Sequence, residues 1–110
     1  MIRGTTPTFS FGIKCKREII DDVEITLKQP NANGLDNHLT KLFSKGEVII
    51  EKVDSEKVSA QITLTQKESF SFKVGSAQAQ VRVLTTEGKV AAQEIGRFKV
   101  GASLSEEEIV

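Results

Sequence analysis

The stretch from Ser76 to Val100 constrains the fold more than any other. Ala77, Ala79, Val81 and Val83 fall on one face and Gln78, Gln80 and Arg82 on the other, the two-residue period of a strand with one face in the core and one in water. Thr86-Glu87-Gly88-Lys89 then reads as a turn, and on the way back Phe98 and Val100 alternate with Arg97 and Lys99. Ile95 and Gly96 break that phase, which predicts a bulge at the glycine. The chain is built on an antiparallel hairpin.

The same alternation recurs upstream. Phe9, Phe11 and Ile13 share a face over Thr8 to Ile13, and Val23, Ile25 and Leu27 share one before Pro30 ends the segment. Lys14-Cys15-Lys16-Arg17 reads as a polar connector, with Ile19-Ile20 packing beneath it and Asp21-Asp22 turning the chain. Glu47 to Val53 reads as a strand, Asp54-Ser55-Glu56 as a turn, and Val58, Ala60, Ile62 and Leu64 as the buried face of the next strand. Phe70, Phe72 and Val74 alternate with Ser71 and Lys73 and read as another. Thr65-Gln66-Lys67-Glu68 has capping-box spacing, which fits either one helical turn or a continuing strand. From Asn31 the pattern changes, and Leu35, Leu39, Leu42 and Phe43 recur at helical spacing. That spacing admits one short helix over 35–43, with an irregular loop as the alternative.

Seven short half-buried strands predict an all-β chain, an antiparallel, immunoglobulin-like β-sandwich, with a partly open barrel as competitor. The expected core is Phe9, Phe11, Val23, Ile25, Leu27, Ile62, Phe72, Val81, Val83 and Phe98. At 110 residues the chain fits a single domain, 1–110, with a mobile acidic tail from about residue 104 (Ser105-Glu106-Glu107-Glu108). Fifteen basic and fifteen acidic residues cancel, so composition gives no general attraction to nucleic acid or anionic lipid, and no apolar run approaches the roughly 20 residues of a membrane helix. One cysteine cannot form an internal disulfide.

No catalytic or cofactor signature stands out. Cys15 and His38 are 23 positions apart without the spacing of a zinc site, Asp21 and Asp22 would point to opposite faces of a strand, and the glycines form neither GxGxxG nor a P-loop. The expectation is a chain that is not an enzyme and holds neither metal nor cofactor.

Met1-Ile2-Arg3-Gly4-Thr5-Thr6-Pro7-Thr8 with its aromatic alternation, Leu64-Thr65-Gln66-Lys67-Glu68, and the hairpin from Ala79 to Lys89 returning through Phe98-Lys99-Val100-Gly101 carry a resemblance. The chain resembles small β-sandwich proteins encoded among tail genes of phages and prophages of Gram-positive bacteria, similar in architecture to the N-terminal domain of phage baseplate upper proteins. The resemblance implies a tail or baseplate interaction module, present in the host cytoplasm during assembly and then in the virion, whose partners are other virion or tail proteins or further copies of itself. It departs from the pattern at Asn31 to Lys45, which reads as an insertion, and Leu35, Leu39, Leu42 and Phe43 are its candidate partner contacts. A module binding cell-surface carbohydrate or another small ligand is the alternative; the chain offers no tryptophan or tyrosine platform for it.

Overall fold

The computed structural model describes residues 1–30 and 36–102 and places them in two antiparallel sheets packed face to face. The acidic tail expected from about residue 104 lies outside the described residues. The strands are β1 (Thr8–Ile13), β2 (Ile20–Pro30), β3 (Asp36–Leu42), β4 (Ile49–Asp54), β5 (Lys57–Thr63), β6 (Gly75–Thr85) and β7 (Val90–Val100), with one helix, α1 (Gln66–Phe70), between β5 and β6. One sheet has the order β1-β5-β4 and the other β3-β2-β6-β7. That is the B-E-D and C′-C-F-G order of immunoglobulin sandwiches. Among the described residues no strand lies outside β1, where strand A of that arrangement would be.

The alternation explains the layers. Phe11, Ile13, Val58, Ala60 and Ile62 from one sheet meet Val23, Ile25, Leu27, Ala77, Ala79, Val81 and Val83 from the other in a single apolar cluster. Eight of the ten expected core residues are buried; Phe9 and Phe98 pack against the cluster from its margin and stay half-buried. In the β6–β7 hairpin the register skips one residue, Ala79 facing Gly96 and Gln80 facing Glu94, so Ile95 is the extra residue of a bulge. Gly96 sits there at φ +120°, a conformation open to glycine and costly for other residues.

Three local expectations give way. Residues 36–42 form the edge strand β3, not a helix: β2 offers them an open antiparallel edge, Leu27 facing Leu39 and Thr26 facing Thr40, and a two-turn helix has no comparable partner. The helical spacing is produced by Leu39, on the inner face, followed by Leu42, on the outer face, and Phe43 in a 3₁₀ turn. Asp21 and Asp22 are not a turn but part of β2, where the register shifts between Ile20 and Asp22. The Asp22 carboxylate accepts from the Ser44 N–H at 3.0 Å and the Ser44 hydroxyl at 2.9 Å, tying the 3₁₀ turn to β2.

Residues 70–74 are likewise not a strand. The capping box at Thr65 is complete: its side chain accepts from the Glu68 N–H while the Glu68 carboxylate accepts from the Thr65 N–H, and α1 consumes the start of that segment. Phe70 ends the helix, Phe72 enters the core at 1% exposure, and Val74 faces solvent.

Candidate functional site

A sandwich that works through its surface offers sheet edges, because an edge strand carries backbone N–H and C=O groups with no partner. Among the described residues the two sheets have four edges: β1, β4, β3 and β7. Three of them carry the features that keep edges from pairing. On β3, Lys41 lies opposite Ile25 and so points toward the sandwich interior, where its ammonium meets Glu68 at 2.6 Å. On β4, Lys52 lies opposite Val58 on the inner face, and the register breaks between Lys52 and Asp54. On β7, the bulge at Ile95 is followed by Arg97 and Lys99, and the N-terminus covers the end of the strand: Ile2 bridges to Gly101 and the Met1 ammonium donates to the Lys99 carbonyl at 2.8 Å.

The β1 edge has none of these. Thr8-Phe9-Ser10-Phe11-Gly12-Ile13 contains no charge and no proline, and among the described residues it is paired only with β5, Thr8 facing Thr63 through to Ile13 facing Val58. Phe9 stacks parallel to Phe11 with ring centroids 6.3 Å apart and packs on Phe98 of β7 at 5.1 Å. Phe9 and Phe98, both half-buried, bring the β1 and β7 edges together on one side of the sandwich, with the buried Phe11 beneath them. Toward the other end of β1 a cleft of about 430 Å³ opens between the sheets, lined by Ile13, Cys15, Val81, Val83 and Ala91 among others.

The residues singled out by the insertion do not converge there. Leu35 lies outside the described residues; Leu39 and Phe43 pack against the core, with the Arg17 guanidinium 5.3 Å above the Phe43 ring. Leu42 alone lies on the outer face, opposite Glu24, beside Leu84 and Val90 in a shallow depression of about 160 Å³. The adjoining Glu24–Arg82 pair joins β2 to β6 with bonds of 2.7 and 2.9 Å, and the Arg82 hydrogen bond holds the Glu24 carboxyl below the usual carboxylate range.

Cys15 follows β1, half-buried, whereas His38 is exposed on β3 in the other sheet. Among the described residues no three His, Cys, Asp or Glu side chains come together, and no helix is long and apolar enough to cross a membrane. A bowl of about 890 Å³ at the Cys15 end mixes Lys14, Lys16 and Lys57 with Asp54 and Glu56, so it has no dominant charge. The signal that marks β1 was present in the sequence as six uncharged residues, but only the topology reveals that they form an edge. No protein-family model matches the sequence, and no curated protein matches it either.

Proposed function

We propose that this chain is a non-catalytic structural module of a phage or prophage particle, docking onto copies of itself or onto a tail or baseplate neighbour in the host cytoplasm and remaining in the virion. The observation that supports docking is the unprotected β1 edge flanked by half-buried Phe9 and Phe98. The phage assignment rests on the sequence resemblance. Mass spectrometry of particles induced from the host and purified tests it. The chain is expected at stoichiometric copy number in particles or their assembly intermediates; its absence from both, with every other tail protein at normal copy number, overturns the assignment.

A further inference from the structure

We propose that β1 is a self-association edge: two copies pair their β1 strands antiparallel about a two-fold axis at Ser10, joining two three-stranded sheets into one of six. The proposal deepens the docking reading above by naming the partner as a second copy of this chain.

The ladder fixes which groups are free. The Leu64 N–H donates to the Pro7 carbonyl at 3.0 Å, and the register runs on from there, so the backbone groups of Phe9, Phe11 and Ile13 point at β5. Those of Thr8, Ser10 and Gly12 therefore point away from it, and among the described residues nothing is bonded to them. The three are spaced evenly about Ser10. An antiparallel second copy centred there sets Ser10 opposite Ser10 and Thr8 opposite Gly12, so that three pairs exchange two bonds each and every free group of both strands is satisfied. Sliding by two residues leaves one of the three opposite a residue outside the strand.

Side-chain chemistry favours the same register and the same partner. At a two-fold axis a residue meets its own copy, which a charge resists and a serine hydroxyl tolerates, since it both donates and accepts. In this register Phe9 lies opposite Phe11 of the other copy, a non-hydrogen-bonded pair whose side chains approach closely. The stacked Phe9 and Phe11 with Phe98 behind them then become one apolar cluster shared by both copies. A six-residue contact is smaller than a standard stable interface, so the dimer is weak in free solution and strengthens where copies are held side by side, as in an assembled array.

Sedimentation velocity of the full chain up to about 1 mM tests this. A concentration-dependent dimer is expected, weakened at least about tenfold by Ser10→Lys, whose exposed side chain lies off the core. Cys15→Ala with Ser10→Cys, mildly oxidised, is expected to give a disulfide-linked dimer with native circular dichroism; this readout stands even if Ser10→Lys folds poorly. A chain that stays monomeric at about 1 mM, a dimer indifferent to Ser10→Lys, or failure of the Ser10→Cys pair to cross-link would each overturn the proposal. A monomeric chain found in particles defeats this inference and leaves the particle assignment standing; a dimer absent from particles does the reverse.

Discussion

The side-chain amide of Gln29 holds Lys73 the way a neighbouring strand would: its Nε2 donates to the Lys73 carbonyl at 2.6 Å and its Oε1 accepts from the Lys73 N–H at 2.7 Å. Gln29 is 4% exposed, so the amide is desolvated at one end of β2 and serves a segment that has left the sheets. Residues 70–74 need such service because their backbone groups have no ladder. Truncation to Gln29→Ala should remove both hydrogen bonds to Lys73 and the buried side chain that makes them, and cost about 1 to 3 kcal/mol in urea unfolding. Gln29→Glu should cost at least as much, since it sets a carboxylate oxygen against the Lys73 carbonyl.

The N-terminal Arg3-Gly4 pair closes the other half of that segment. Arg3 donates to the carbonyls of Phe72 at 2.6 Å and Phe70 at 3.0 Å, while the fully buried Ser69 hydroxyl accepts from the Gly4 N–H at 2.9 Å and donates to the Thr5 carbonyl at 2.8 Å. Gly4 has φ +79°, and a Cβ there would collide with the Phe70 ring. Gly4→Ala is expected to lose about 1 to 3 kcal/mol through backbone strain and displacement of that ring. Loosening of the N-terminal segment should accompany it, seen as faster amide exchange at Arg3 and Gly101, whose N–H groups tie that segment to the end of β7. Unchanged stability and exchange would show that the seam contributes little.

Phe72 and Phe98 separate core from margin. Phe72 is 1% exposed and touches Phe98 edge-on at a centroid distance of 6.4 Å, whereas Phe98 is half-buried. Phe72→Ala should cost about 3 to 5 kcal/mol, and Phe98→Ala distinctly less, because part of its ring surface is already in water. Equal losses would mean that Phe98 is sealed by something outside its own fold, which self-association about β1 would supply at high protein concentration.

Most of the layers were legible because a strand's period is visible wherever one face is buried, and Val58-Ala60-Ile62 or Val23-Ile25-Leu27 leave no second interpretation. The expectation of seven strands matches the seven described, but one of them is exchanged. Phe70-Phe72-Val74 alternates by coincidence, because a capped helix supplies the first residue, the core the second and solvent the third. Leu39, Leu42 and Phe43 mimic a helix because β3 puts leucines on both faces at an edge. The β1 site was the least legible feature. Its composition could be read, but being an edge is a property of strand order, which local periodicity does not encode.

The ion pair between Glu68 and Lys41 links α1 to the β3 edge and should make stability depend on acid. Its two carboxylate oxygens divide the work: Oε1 accepts from the Thr65 N–H at 2.9 Å and Oε2 from the Lys41 ammonium at 2.6 Å. Burial pushes the carboxyl up, but Lys41 and the Thr65 backbone together outweigh it, and the folded-state pKa lies below the ordinary value. Between the folded pKa and the unfolded one, about 4.3, the unfolded chain binds more protons, so stability rises with pH across that window. The contribution is complete above the unfolded value and disappears as pH falls through the folded one. Glu68→Gln isolates the charge, because glutamine keeps the capping oxygen for Thr65 while turning an N–H₂ toward the Lys41 ammonium. The variant should be less stable than wild type at pH 7, and the gap should narrow as pH falls below about 4, when the wild-type carboxyl is itself protonated. Urea titrations at a series of pH values measure this directly. A gap that stays constant from neutral to acidic pH would assign the loss to packing around α1 and leave the ion pair without a role in stability.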